Sequence, residues 1–195
     1  MLKHLLTLLL IIPALSAYAA PDPALIRQLA DEDSGVRISA IEKLTLEADP
    51  ASLPILKAMA DDALYAAGNT LLIVADDKAT DAISGHPATL PEGAEALTIN
   101  NRIRGVLANS LAAFSLFDKD VAVRLAAIEK LQGKVSPDLE PMLARALAKE
   151  TDAKVKGLLE LAHAQASLGS KDPAIRLQAV KELSSAASPT IKTLL

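Results

Sequence analysis

The amino-acid sequence predicts an all-α protein, an α-solenoid of antiparallel helix pairs that carries a small β-hairpin or loop insertion. Three observations predict this fold. A helix-start pattern recurs along the chain, and amphipathic stretches alternate with breakers of a few residues. The 195 residues also include 37 Ala and 34 Leu, both strong helix formers. In such an array each helix pair buries its apolar stripe on the next pair.

The recurring pattern is D-x-x-[VI]-R-[IL]-x-A-[IV]-x-x-L. It occurs without gaps at 33–44, 120–131 and 172–183, and a weaker fourth copy begins at Asp152. The leading aspartate can accept a hydrogen bond from a backbone N–H that has no partner within the first helical turn. Each copy therefore predicts a helix that begins with a capping aspartate. Pro173 supports this assignment, because the first helical position needs no N–H.

Each full copy also places an arginine on the apolar stripe of its helix, because apolar residues follow the arginine at i+3, i+4 and i+7. The aliphatic stem of an arginine can cover core surface while its guanidinium group binds a carboxylate. We therefore predict structural ties within or between repeats. The tie residues are Asp33, Arg37, Asp120, Arg124, Asp172 and Arg176. The alternative is that the arginines form a row that recognises an anion.

The helical period lapses at 63–99, where turns rich in glycine, proline and aspartate punctuate the chain. Residues 64–65 and 70–74, joined by Gly68-Asn69, predict a small β-hairpin that projects from the solenoid. Two interpretations of this insertion stay open. It binds a partner, or it is a loop without a binding role.

The first residues have the features of a secretory signal peptide. Lys3 precedes a short apolar run, and the small residues Ala17 and Ala19 suit the recognition pockets of a signal peptidase. We predict a signal peptide at 1–19 and a helical domain at 20–195. The alternative is an uncleaved anchor, which the shortness of the run disfavours because the hydrocarbon core of a bilayer is about 30 Å thick.

Composition and motifs argue against several functional classes. The chain has no Cys, so it offers no thiol nucleophile and no thiolate ligand for a metal. Its formal charge of −4 provides no general attraction to nucleic acid or anionic lipid. The sequence contains no nucleophile elbow, P-loop or H-E-x-x-H motif. We therefore predict no enzyme activity, no catalytic residue, no cofactor, no metal site and no nucleic-acid partner.

One alternative places hydrolytic chemistry on three carboxylates of the insertion, Asp76, Asp77 and Asp81. That run lacks the alternating oxygen ligands, central glycine and terminal glutamate of an EF-hand loop, so a solvated turn explains it better. His163 follows Glu160 by one helical turn, which predicts a surface pair between the two side chains rather than a catalytic base.

The capped repeats resemble HEAT repeats, although their spacing along the chain is irregular. A wider resemblance rests on the leader, the repeats, the insertion and the run Ile99-Asn100-Asn101-Arg102-Ile103-Arg104-Gly105 that follows it. In these features the chain resembles the amino-terminal extracytoplasmic domain of urea ABC transporter permeases of the branched-chain amino acid type. The resemblance spans nearly all of the chain, and the run at 99–105 is its most specific element.

The resemblance implies a HEAT-like domain that precedes a bundle of membrane helices. It implies a transporter that also contains a second permease, two ATPases and a periplasmic binding protein. The expected location is the periplasmic side of the inner membrane, with membrane association only through C-terminal segments that this sequence lacks. We therefore expect a permease fragment that contributes to urea uptake by docking partners and does not form the channel. The apolar run at 191–195, which has no glycine stop, is consistent with a repeat cut short.

The alternative to a transporter component is a freestanding periplasmic HEAT-repeat adaptor that binds proteins through its concave face. Within the run at 99–105, the residue pattern predicts a helix start, with Asn100 as the cap and Ile103 buried. A partner contact through Arg102 or Arg104 is a hypothesis that rests on their charge.

Overall fold

The computed structural model describes residues 21–76 and 78–185. The signal peptide predicted at 1–19 and the apolar run at 191–195 lie outside these residues. In the described part, eight α-helices accompany a five-stranded antiparallel sheet. The prediction of an all-α fold is therefore wrong, and the protein is a mixed α/β structure.

The helices and strands follow one another with the sheet between the third and fourth helices. The helices are α1 (Pro23–Gln28), α2 (Ser34–Glu47), α3 (Ser52–Ala60), α4 (Asn101–Ser115), α5 (Val121–Leu131), α6 (Glu140–Lys149), α7 (Ala153–Ser167) and α8 (Pro173–Ser185), and a 3-10 turn at Pro137–Leu139 precedes α6. The strands are β1 (Leu64–Ala67), β2 (Thr70–Ala75), β3 (Lys78–Asp81), β4 (Pro87–Ala88) and β5 (Glu95–Ala96). All five strands fall within the insertion predicted at 63–99.

The sheet is larger than the predicted hairpin. Its strand order is β4-β3-β2-β1-β5, and every neighbouring pair is antiparallel. The hairpin itself is confirmed: β1 and β2 pair across Gly68-Asn69, with Ala67 opposite Thr70. The other three strands escaped prediction because they are short and contain Ala, Asp, Pro or Glu, which strands disfavour. Strands β3 and β5 add to the unpaired backbone groups at the two edges of the hairpin, and β4 adds to the outer edge of β3.

One face of the sheet belongs to a hydrophobic core. Leu64 and Leu71 are 0% and 2% exposed and pack in one cluster with residues of α1, α2, α3 and α4. Leu64 lies opposite Ile73, and Ala66 lies opposite Leu71, so these side chains share a face of the sheet. The insertion therefore does not simply project from the helices, as the sequence led us to expect. It closes one end of their core.

Helix α4 connects two hydrophobic cores. Ile103 and Leu107, in its first half, belong to the cluster that includes the sheet. Ala113 and Leu116, near its end, belong to a second cluster with α5, α6 and α7. Along the chain of helices, α2 packs on α4, α4 on α5, α5 on α7, and α7 on α8. Helices α3 and α6 pack beside α4 and α7.

The aspartates of the repeated pattern begin their helices as predicted. Asp33 accepts hydrogen bonds from the N–H groups of Gly35 and Val36. Asp120 and Asp172 each accept one from the residue two positions later, at 2.8 Å. The aspartate of the weaker copy, Asp152, caps α7 in the same way. These bonds satisfy N–H groups that have no partner inside the helix.

Candidate interaction surfaces

Arg124, one of the predicted tie residues, lies in the first turns of α5 and contacts two neighbouring segments. Its Nη1 donates to the carbonyl oxygens of Asp118 at 2.9 Å and Lys119 at 3.1 Å, in the loop between α4 and α5. Its Nε and Nη2 donate to the two carboxylate oxygens of Glu150 at 2.7 and 2.9 Å. Arg124 therefore joins α5 to the preceding loop and to the linker between α6 and α7.

Glu150 is almost completely buried, with a side chain that is 1% exposed. Besides Arg124, it accepts hydrogen bonds from the N–H groups of Thr151 and Asp152, each at 2.8 Å. The hydrogen bonds from Arg124 lower the pKa of Glu150 to about 2, with help from the two N–H groups and against the effect of burial. The same pairing raises the pKa of Arg124. The two groups therefore stay charged and paired across the neutral pH range.

Arg176, in α8, repeats only half of these contacts. Its Nη1 donates to the carbonyl oxygens of Ser170 at 2.8 Å and Lys171 at 3.0 Å. These two carbonyls precede the arginine by the same six and five positions as those that Arg124 binds. Within 21–76 and 78–185, no carboxylate forms an ion pair with Arg176.

Arg37, in α2, binds the segment that returns from the sheet. Its Nη1 donates to the carbonyl oxygen of Thr98 at 2.9 Å. Its Nε and Nη2 are buried and have no hydrogen-bond partner among the described residues. Burial lowers the pKa of Arg37, and the nearby carboxylate of Asp31 opposes this effect. This arginine therefore ties α2 to the end of the insertion.

None of the three arginines forms an ion pair with the aspartate of its own copy in the described part of the chain. The aspartate carboxylates instead accept from N–H groups of their own helices, which keeps them at the helix starts. The arginines bind loop carbonyls, and Arg124 also binds Glu150. Sequence reasoning missed Glu150 because it lies 26 residues from Arg124. Its place two residues before the capping Asp152 was the signal that could have drawn attention to it.

The start of α4 matches the helix start predicted at 99–105. Asn100 accepts a hydrogen bond from the N–H of Ile103 at 2.9 Å, and its own side-chain amide donates to Ser34 at 3.1 Å. Ile103 is fully buried. Arg102 is exposed and forms no ion pair among the described residues, and Arg104 lies 3.7 Å from Asp62 with both side chains more than half exposed. Both cations are accessible to a partner.

Asp81, one of the three aspartates of the insertion, stabilises a turn. Asp81 accepts hydrogen bonds from the backbone N–H and the hydroxyl group of Ser84 at 2.7 and 2.8 Å, and from the N–H of Ile83. These bonds, the one from the Ser84 backbone first, lower the pKa of Asp81. Asp76 is exposed, and Asp77 lies outside the described residues. The described residues contain no group of three His, Cys, Asp or Glu side chains that could hold a metal ion.

His163 binds a different partner from the one predicted. Its Nε2 lies 2.8 Å from Oε1 of Glu140, at the start of α6, and Glu160 is exposed. The neighbouring helix offers a carboxylate at hydrogen-bond distance because α6 packs on α7. The predicted pair with Glu160 is therefore wrong, and the histidine joins two helices instead.

A groove of about 440 Å³ lies where the loop after α2, the end of α4 and helix α6 meet. Leu53 and Phe117 line it and are 38% and 37% exposed. Two cations border these apolar groups. Arg145 donates to the carbonyl oxygen of Leu46 at 3.1 Å, and Lys149 places its Nζ 5.9 Å from the centre of the Phe117 ring.

Comparisons with models of protein families, with curated proteins and with solved structures found no match for this chain. No helix in the described part of the chain has the length and apolar character needed to cross a membrane.

Proposed function

We propose that this chain is the amino-terminal extracytoplasmic domain of a urea ABC transporter permease and serves as a periplasmic scaffold. It contributes to urea uptake by docking other parts of the transporter, and it neither forms the channel nor catalyses a reaction. The observation that carries the proposal is the run at 99–105, which follows a β insertion and opens α4 with two exposed arginines.

The surroundings of this run support a docking role. Asn100 is bonded to Ser34, and Arg37 holds the carbonyl of Thr98, so the entry to α4 is fixed to α2 by two separate contacts. Buried Ile103 anchors the same turn in the core. A rigid platform that presents two exposed cations suits an acidic partner surface, because charge complementarity speeds association and selects the partner.

The proposal assigns no catalysis because the two carboxylates with a lowered pKa already have structural partners. Glu150 is bonded to Arg124 and to two backbone N–H groups, and Asp81 is bonded within its own turn. A catalytic carboxylate needs a free face toward a substrate. The partners named by this proposal are a second permease, ATPases reached through membrane segments, and a periplasmic binding protein.

A second candidate is a freestanding periplasmic adaptor that binds proteins without a transporter. The groove lined by Leu53 and Phe117 favours it, because apolar side chains bordered by Arg145 and Lys149 form a surface suited to a protein segment. This surface does not use the run at 99–105, so the two candidates can be separated by mutation.

Co-purification tests the transporter assignment. The full chain carrying an affinity tag is exported to the periplasm of cells that also produce the second permease, the ATPases and the binding protein of a urea transporter. We expect the chain to retain at least one of these subunits, and we expect the double charge reversal Arg102→Glu and Arg104→Glu to reduce that retention. The matched control reverses two other exposed cations, Lys43→Glu and Lys130→Glu.

Equal retention by both double variants would show that Arg102 and Arg104 do not form the contact. Retention of no subunit by the wild-type chain would reject the transporter assignment in favour of the adaptor. The gene sequence provides an independent check, because a permease should continue beyond this chain into several apolar segments of about 20 residues.

A further inference from the structure

A small cavity lies where helices α2 and α4 meet the segment that joins α5 to α6. Its volume is about 100 Å³. Helix α2 lines it with residues 42, 45 and 46, and helix α4 lines it with residues 106, 109 and 110. Each set has the spacing i, i+3 and i+4, so its members lie on one face of their helix. The packing of α2 on α4 therefore brings the two sets together.

Two polar side chains of α4 reach this cavity without a hydrogen-bond partner. Ser110 is 5% exposed, and Asn109 is half-buried. Among the described residues, the side chains that form hydrogen bonds in α4 and at its cap are those of Asn100 and Ser115. Ser110 does not donate to the carbonyl four positions earlier, as Ser115 does. Because buried polar groups are normally hydrogen-bonded, the unpartnered Ser110 points to a ligand in the cavity.

The polar groups of the wall need a ligand with both donors and acceptors. Thr45 is 2% exposed and donates its hydroxyl hydrogen to the carbonyl oxygen of Ile41 at 2.7 Å. Its oxygen can therefore only accept from a ligand. The amide of Asn109 offers two N–H donors and one acceptor oxygen, and the Ser110 hydroxyl group can donate or accept. A carboxylate ligand would leave Thr45 without a donor, and an ammonium ligand would leave the Asn109 donors without an acceptor.

The charged side chains around the cavity do not select an ion. They are Glu42, Lys134 and Asp138, which have mixed signs and are exposed. None of them forms an ion pair within the described part of the chain. Exposed charges are screened by water and salt, so they would compensate little for the cost of burying an ionic ligand. An uncharged ligand avoids that cost.

We propose that this cavity binds a small uncharged amide through Thr45, Asn109 and Ser110. An N–H group of the ligand donates to Oγ1 of Thr45, and its carbonyl oxygen accepts from Asn109 or Ser110. The partly buried apolar residues Leu46 and Val106 complete the wall beside these groups.

The size of the cavity sets the size of the ligand. One water molecule needs about 10–15 Å³ of such a space, so about 100 Å³ admits a molecule of a few heavy atoms. Pockets for drug-sized ligands are larger, roughly 300–1,000 Å³. Acetamide and urea have the required size and carry both kinds of hydrogen-bonding group. The inference does not rest on the proposed function, although urea, the cargo of the proposed transporter, belongs to this class.

An NMR titration of the isotope-labelled full chain tests the proposal. Acetamide and urea are added separately at millimolar concentrations, far below those that unfold proteins. We expect saturable shifts of the backbone N–H signals of Thr45, Asn109 and Ser110. Ser110→Ala should weaken the binding of both amides about fivefold, since one neutral hydrogen bond is lost. Asn109→Leu, which replaces the amide with an apolar group, should also weaken it.

Ser115→Ala is the matched control. It is the same substitution in the same helix, at a hydroxyl group that is already bonded to the carbonyl oxygen of Leu111. This variant should bind both amides with wild-type affinity. Acetate and methylammonium, which are of similar size but charged, should cause no saturable shift of the three signals. Thermal unfolding without ligand checks the fold of each variant, and Ser110→Ala should not lower the melting temperature because its hydroxyl group has no partner among the described residues.

Three results would overturn the inference. The first is the absence of saturable shifts with either amide, which would leave the cavity to water. The second is equal affinity of the wild type and the Ser110→Ala variant for both amides, or equal affinity for acetamide and acetate. The third is binding that appears only after removal of 1–20 or 186–195, which would assign the cavity to a segment of the chain itself. Co-purification with transporter subunits does not depend on this cavity, so failure of the proposed function leaves all of these measurements unaffected.

Discussion

Glu150 holds Arg124 with both of its carboxylate oxygens, at 2.7 and 2.9 Å, across 26 residues of sequence. The same carboxylate accepts the N–H groups of Thr151 and Asp152, which immediately precede α7. One buried carboxylate therefore sets the position of the α7 start relative to α5. This relationship links one helical unit to the next.

Acid should destabilise the protein through Glu150. Its pKa is about 2 in the folded chain and 4.5 in the reference state without these contacts. The stabilisation that it contributes is therefore complete above pH 4.5 and is lost as the pH falls toward 2. We expect Glu150→Gln to lower the free energy of unfolding by about 2 kcal/mol at neutral pH. Urea denaturation measures the difference.

The difference between wild type and the Glu150→Gln variant should shrink in acid. Asp81 also has a lowered pKa, but both proteins keep it, so it cancels in the comparison. Glu160→Gln, a change at an exposed carboxylate, is the control and should follow the wild-type curve. Parallel curves for wild type and Glu150→Gln from neutral pH to acid would contradict the role given to this carboxylate.

The stability of the β1–β2 hairpin should depend on Gly68, the first of the two residues that join the strands. Gly68 has a φ of 59°, a left-handed conformation that strains residues with a β-carbon. Gly68→Ala is expected to lower the free energy of unfolding by about 1 kcal/mol. Gly105→Ala is the matched control: Gly105 is in α4, and an added β-carbon meets no atom within 4 Å.

In a helix, alanine is favoured over glycine by about 0.5–1 kcal/mol, so Gly105→Ala should stabilise the protein. Thermal unfolding of both variants provides the test. The explanation fails if the two substitutions shift the melting temperature in the same direction.

The capping role of Asp33 should depend on its hydrogen bonds and not on its charge. Asp33→Ala removes the acceptor of the Gly35 and Val36 N–H groups and should cost about 1 kcal/mol. Asp33→Asn keeps an acceptor oxygen at the same position and should cost much less. Chemical denaturation of the three proteins measures the order of stability. Equal losses in both variants would point to charge instead of capping.

The features that the sequence predicted correctly are local. A capping aspartate and the N–H groups that it accepts lie two or three residues apart, and the Gly68-Asn69 turn joins adjacent strands. Such contacts follow from residue type and spacing alone. The helix starts and the central hairpin were predictable for this reason.

The features that the sequence did not predict depend on contacts between distant segments. Strand β5 pairs with β1, where Ala96 lies opposite Tyr65, and its own two residues carry no strand signal. The bond between Arg124 and Glu150 likewise requires the packing of α5 on α7. The exposure of Leu177 and Val180 on α8 was not predictable either, because the pattern of apolar residues in α8 matches that in α5 and only the packing distinguishes the two helices.

The central claim is that the contact between Arg124 and Glu150 joins one helical unit to the next. A double-mutant cycle with Arg124→Ala and Glu150→Ala, measured as free energies of unfolding at neutral pH, tests it most directly. Because each substitution alone breaks the same contact, the double variant should lose little more stability than either single variant. Losses that simply add in the double variant would contradict this role of the pair.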